Sequence, residues 1–147
     1  MRENTLKQKL NDGKAVFGTM ITFPSATVVE MLGCLGYDWI LIDNEHGSIT
    51  VDNSEDMIRA AELTGMAPIV RPIGNELEFI CPFLDRGAWG VQIPHVNTAE
   101  EAQNAVEAVK YYPVGTRGIF SRSRPAGFGF SGSTGEYSEE ANRNTLV

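Results

Sequence analysis

The sequence is short of the residues that build covalent or metal frameworks. Its 147 residues include two cysteines, Cys34 and Cys81, and two histidines, His46 and His95. The cysteines stand far apart, form no CxxC and have no histidine at ligand spacing. Neither a disulfide framework nor a zinc site is indicated. Both cysteines are expected to be small buried hydrophobes, since free cysteine is among the most buried residue types; a reactive thiol is the alternative. Basic residues are in the minority, 12 Lys and Arg against 19 Asp and Glu, for a formal net charge of -7. An acidic chain has no general attraction for a polyanion, so nucleic acid and anionic membrane are poor partners. No uninterrupted apolar stretch reaches the roughly 20 residues that cross a bilayer. Met1 to Lys14 is polar and mixed in charge, without the apolar run of a secretory signal. A reducing, cytoplasmic setting is expected. Hydrophobic residues make up 42% and charged residues 21%, the composition of a globular domain.

What is present is alternation. A polar lead-in over residues 1–15 is expected to carry a helix. Val16 to Ile21 is β-rich and ends near Pro24. Ser25 then caps a helix whose apolar face is Val28, Val29, Leu32 and Leu35, stopped by Gly36. Tyr37 to Asp43 (YDWILID) reads as a strand buried on both faces. Asp52 and Glu55 have capping-box spacing before a helix that Gly65 ends. Ala67 to Arg71 is the third strand. Asn75 is expected to cap a third helix, kinked or started late by Pro82, which lacks an amide donor. Trp89 to Pro94 is the fourth strand. Thr98 and Glu101 form another capping box, before a face of Ala102, Ala105, Val106 and Val109. Four βα units over residues 16–110 predict parallel strands, in a doubly wound sheet or a barrel. Residues 111–147 are rich in Gly, Ser and Arg. They read as an irregular tail with a short helix near Ser138 to Asn144, ending at the opening of a fifth strand.

In parallel α/β folds the active site lies at the carboxyl ends of the strands. Strand 2 is followed by Asp43, Asn44, Glu45 and His46. Strand 3 ends in Arg71. Strand 4 holds Gln92 and ends in Pro94 and His95. Both histidines therefore fall at strand ends. Beside two acids, His46 is read as a proton carrier, since imidazole titrates near neutrality. Arg71 either pairs with Asp43 or Glu45 or presents its fork to a carboxylate or enolate. His95 is expected to shape the rim. Asp85, near a helix C-terminus, is either a solvated acid or one that orients a histidine. Trp39 and Trp89 read as packing residues. Arg117, Arg122 and Arg124 suggest an anionic group, a neighbouring acidic subunit or a solvated loop. GFGFSG follows no strand and opens no helix, so it is no nucleotide fingerprint.

The stretches FGTMITFPSATVVEMLGCLGYDWILIDNEHG, PIVRP, FLDRGAWGVQIPHVNTAEEA and YYPVGTRG resemble the class II, metal-dependent pyruvate aldolases. That family includes 2,4-dihydroxyhept-2-ene-1,7-dioate and 5-keto-4-deoxyglucarate aldolases. The resemblance implies an α/β fold, the N-terminal half of a (β/α)₈ TIM barrel, assembled as a homo-oligomer, a trimer or hexamer. It implies a divalent cation, Mg²⁺ or Mn²⁺, holding a small 2-oxo acid. It assigns acid/base work to His46, a paired aspartate to Asp85 and enolate stabilisation to Arg71. Asp43 and Glu45 match acids near the metal's water shell. Together with Gln92 of strand 4, they are expected to bind substrate or to support the residues that do. The family's metal-binding Glu and Asp would lie beyond Val147, so no metal ligand is expected in this chain.

The expected activity is therefore cleavage of a 4-hydroxy-2-oxo acid to pyruvate and an aldehyde, with the isolated chain inactive. A CoA-ester or citrate-type lyase and a non-catalytic assembly remnant are the alternatives. Strands 1 and 4 would be open edges, so the chain should be weakly stable or self-associate. It would then be a fragment, or be completed by another copy or polypeptide.

Overall fold

The computed structural model describes residues 3–147, so Met1 and Arg2 of the lead-in lie outside the described residues. Its elements are α1 (Thr5–Asn11), β1 (Gly18–Ile21), α2 (Ala26–Cys34), β2 (Trp39–Asp43), α3 (Val51–Leu63), β3 (Ala67–Arg71), α4 (Leu77–Arg86), β4 (Gly90–Val91), α5 (Ala99–Val109) and α6 (Thr134–Asn144). The four strands pair in parallel in the order β1-β2-β3-β4. Parallel neighbours need a crossover, and each helix from α2 to α4 supplies one.

The core lies between the sheet and these helices. Ile40 and Ile42 of β2, Val70 of β3, Val29 of α2, Ile58 of α3 and Ile80 of α4 are fully buried in one cluster. Each such side chain contributes about 2 kcal/mol. A smaller cluster under the sheet packs Leu6 of α1 against Ala67 and Trp89, with Trp39 beside them. Both tryptophans are thus packing residues. Asn4 joins this plug, its amide donating to the carbonyls of Trp89 and Asn144.

Several local expectations change. The α3 capping box is Thr50 with Asn53 rather than Asp52 with Glu55. The Thr50 hydroxyl accepts the Asn53 backbone amide at 3.4 Å, whereas Glu55 pairs with Arg59 one turn on. Asn75 does not cap α4; its side-chain amide donates to the Glu101 carbonyl at 2.8 Å. The helix starts at Leu77 and runs through Pro82 without a break. Leu35 points to solvent, and in α5 Ala108 joins Ala105 and Val109 in the buried face while Val106 stays exposed. Neither cysteine is fully buried: Cys34 is exposed on the last turn of α2, and Cys81 is half-buried. Burial pushes the Cys81 thiol up, which works against reactivity.

Beyond α5, Lys110 enters the interior and donates to the carbonyls of Asn142 and Thr145. Burial, with Lys7 nearby, lowers its ammonium to about 8. The chain then returns through α6, and Leu146 bridges Gly90 in parallel. The Val91 amide donates to Leu146 O at 3.1 Å, and the Leu146 amide to Trp89 O at 3.0 Å. The outer edge of β4 is therefore partly covered, contrary to the open edge expected there.

Gly90 permits this approach, since a β-carbon on it would lie 2.6 Å from Leu146 Cβ and 2.8 Å from its carbonyl oxygen. Gly90→Ala should push the Leu146 segment off β4 and cost about 1–3 kcal/mol. Urea unfolding and hydrogen exchange at the Val91 amide check this. Unchanged protection of that amide would show that the contact yields without loss.

Candidate active site

The site grows from strand register. Asp43 and Arg71 are the last residues of β2 and β3 and stand opposite each other in the ladder. Neighbouring positions in a parallel pair share a face, so the side chains meet. Arg71 Nε donates to Asp43 Oδ1 at 2.9 Å and Nη2 to Oδ2 at 2.8 Å, a fork-to-fork pair. Asp43 is 0% exposed and the Arg71 side chain 17%. The Arg71 hydrogen bond holds the Asp43 carboxyl below its usual range, against the opposing effect of burial and with help from the His46 and Glu45 amides. The same bond raises Arg71.

Asp43 also folds the turn that follows. Its Oδ1 accepts the backbone N–H groups of Glu45 at 3.0 Å and His46 at 3.3 Å. Aspartate commonly closes such turns on its own backbone. Gly47 completes the turn: a β-carbon there would lie 2.3 Å from Asp43 O and 2.6 Å from Thr22 O. The sequence Asp43–Gly47 is thus a tight loop that lifts Glu45 and His46 above the strand ends.

Glu45 is the hub. Its Oε2 lies 3.1 Å from Arg71 Nε and 3.6 Å from His46 Nε2, and its Oε1 lies 2.9 Å from His95 Nε2. The Glu45 side chain is only 10% exposed, while those of His46 and His95 are 69% and 80% exposed. A buried anion is thus edged by an arginine and two imidazoles that reach solvent. Asp43 and Glu45 occupy Nε and Nη2 of Arg71, so both readings of Arg71 meet here. It is a structural partner, and its Nη1 group carries no protein bond among the described residues. The arrangement can bind a small anion, and it can move a proton at an exposed imidazole beside that anion.

Two expected members are not in the cluster. Asp85 is not paired with His46; it accepts from Arg117 Nη2 at 2.6 Å. Arg117 is nearly buried and stacks over Tyr111, so it needs a counter-charge that Asp85 supplies. Gln92 is exposed and lines an apolar groove of about 550 Å³ with Ile69, Val91 and Leu146. Arg124 pairs with Glu62, so Arg117 and Arg124 both serve acids of this chain, and Arg122 stays exposed. The hub role of Glu45, with its bond to His95, was not apparent in the sequence. The one local signal was Pro94–His95, a turn pair.

The described residues do not fit a divalent cation by themselves. Among them no three His, Cys, Asp or Glu side chains are grouped to hold one. The Asp43 and Glu45 carboxylates are already engaged by a guanidinium, which offsets their charge and disfavours a cation beside them.

Residues 19–147 match the family described as HpcH/HpaI aldolase/citrate lyase. The chain belongs to that family. A hydroxypyruvate/pyruvate aldolase of Roseobacter denitrificans is 39% identical over 127 residues, covering 86% of this chain and 50% of the relative. A 2-dehydro-3,6-dideoxy-6-sulfogluconate aldolase of Pseudomonas putida is 40% identical over 115 residues, covering 78% of this chain and 45% of the relative. The crystal structure of an HpcH/HpaI aldolase/citrate lyase family protein from Burkholderia cenocepacia superposes with a TM-score of 0.88 at 29% identity. It covers 97% of this chain and 58% of that one. The chain spans about half the length of the curated relatives it matches. For this HpcH/HpaI family member the α/β fold expected from sequence is borne out, as four parallel strands that align with about half of a family structure. No described helix is long and apolar enough to cross a membrane.

Proposed function

We propose that this chain carries the proton-transfer half of an aldolase that cleaves a 4-hydroxy-2-oxo acid to pyruvate and an aldehyde. The observation that carries the reading is the shared Glu45 carboxylate, which gathers His46 and Arg71 at the carboxyl ends of β2 and β3. The aldolase names of the two relatives support it.

In cleavage, a base takes the proton of the 4-hydroxyl, the C3–C4 bond breaks, and its electron pair becomes the pyruvate enolate. The proton then returns to C3. His46 is the proton carrier, since it is exposed and within ion-pair reach of Glu45. Arg71 Nη1 faces the developing enolate or the carboxylate. Asp43 holds Arg71 and the turn, and Glu45 orients both basic groups. Asp85 has no place in this scheme within one chain, and Gln92 lines the apolar groove by Val91 and Leu146 rather than the cluster. A divalent cation, Mg²⁺ or Mn²⁺, would be held by carboxylates that these residues do not supply.

The same reading takes residues 1–147 as one partial-barrel domain, with the lead-in over 1–15, four βα units over 16–110 and a tail over 111–147. It places the protein in the cytoplasm as a homo-oligomer, a trimer or hexamer. The exposed Phe120, Phe128 and Phe130 of the tail suit burial by another copy.

The test mixes the chain with the separately produced C-terminal half of the Roseobacter relative and Mg²⁺. Release of pyruvate from a ketodeoxyglucarate-type substrate is the expected result. Turnover of a CoA ester or citrate alone would favour the lyase alternative. No turnover by a well-assembled mixture would favour a non-catalytic remnant.

A further inference from the structure

His95 sits where glycine would be the unstrained choice. Its φ is +57°, in the left-handed region that side chains disfavour. It follows Pro94 directly, and proline followed by a positive-φ residue is the pattern of a type II turn, in which Gly or Asn usually takes the second place. The backbone is fastened there from outside. The Asn97 side-chain amide donates to His95 O at 2.8 Å. The Glu101 carboxylate in turn accepts the Asn97 and Thr98 amides. Such strain persists where the surroundings impose it, and it marks functional sites more often than others.

The left-handed turn reaches one target. The His95 imidazole stands 2.9 Å from Oε1 of Glu45, across the rim from β4 to the loop after β2. The other groups around Glu45 are Arg71 and His46, both on Oε2, with Asp43 sharing Nε of Arg71 and accepting the Glu45 amide. With His95 on one oxygen, the other is left turned toward the two basic groups that the aldolase reading uses.

We propose that His95 is a positioning residue: it clamps Oε1 of Glu45 so that Oε2 faces His46 and Arg71. The proposal deepens the aldolase reading and rests on it for the role of His46. Its test needs no turnover, so the two can fail separately.

The chain has two histidines, so in any His95 variant the single remaining imidazole signal belongs to His46. The His46 titration is followed by NMR in the full chain for His95→Gln and His95→Gly. Both variants lack the imidazole charge, and the glutamine amide still reaches Oε1. With Glu45 clamped, its carboxylate favours the protonated His46, so the midpoint should be higher in His95→Gln than in His95→Gly by roughly half a pH unit. In the Glu45→Gln background the two variants should titrate together. His95→Gly should melt no lower than the unaltered chain, because it relieves the strain. Should it fail to fold, His95→Asn replaces it, since asparagine tolerates the turn but is too short to reach Glu45. Coincident midpoints in the glutamine and glycine variants would overturn the proposal. A difference that survives Glu45→Gln would also overturn it.

Discussion

Arg71→Met should be the most destabilising single change at the rim, lowering stability at neutral pH by about 3 kcal/mol. The side chain is removed from between two acids, one fully buried and one nearly so. Neither acid has another cation of permanent charge: the remaining partners of Asp43 are backbone amides, and those of Glu45 are imidazoles. The size of the effect comes from leaving the Asp43 charge unpaired, more than from the worth of the pair itself.

Its pH dependence has a definite sign. The Asp43 carboxyl is held below its usual value in the fold, first by the Arg71 bond. Its stabilisation is therefore complete above the ordinary carboxylate range and is lost as pH falls through the lowered value. In the variant, burial favours the neutral acid and is opposed only by the His46 and Glu45 amides, without the largest stabiliser of the charge. The gap between the two proteins should be widest at pH 7 and should narrow below about pH 4. Urea unfolding at both pH values measures it. Equal midpoints at pH 7 would mean the pair behaves as a solvated surface bridge.

His46→Gln should have the largest effect on chemistry and almost none on the fold. General acid–base groups contribute about 10²–10⁴-fold, so pyruvate release by the assembled enzyme should fall by that factor. The loss should appear in kcat, with KM little changed, because Arg71 rather than His46 is assigned the anion. His46 is largely exposed and its imidazole makes one long contact to Glu45, so unfolding should move by less than about 0.5 kcal/mol. A kcat within a few-fold of the unaltered enzyme would remove His46 from the mechanism.

The strands were legible because hydrophobic runs and turn residues are local signals. Ala67 to Arg71 was bounded to the residue, and the Thr98–Glu101 box formed as its spacing required. β4 was overestimated, since Trp89 to Pro94 keeps only Gly90 and Val91 in the ladder before the chain turns at Pro94 and His95. Two capping readings failed for one reason: polar residues crowd those turns, and spacing alone does not choose among Thr50, Asp52 and Asn53.

The rim cluster was half legible. Strand ends collect polar residues, and that placed Asp43, Glu45, His46, Arg71 and His95 on one side. Their pairing depends on register between β2 and β3, which no single strand encodes. Asp85 was matched to a histidine by resemblance alone, and within this single chain its partner is Arg117, 32 residues away, which enters the interior. The cysteines failed through the opposite error: a general tendency to burial decided nothing about Cys34, which sits on the open side of α2.

The most direct measurement is exchange of the pyruvate methyl protons with deuterium from solvent, followed by proton NMR on the assembled enzyme. Enolisation needs a proton carrier and a stabilised enolate and nothing of the aldehyde. We expect exchange with the unaltered chain, its loss by at least about 100-fold in His46→Gln, and a comparable loss in Arg71→Met at a temperature where that variant remains folded. Exchange at the same rate in all three would contradict the assignment of this chemistry to the ends of β2 and β3.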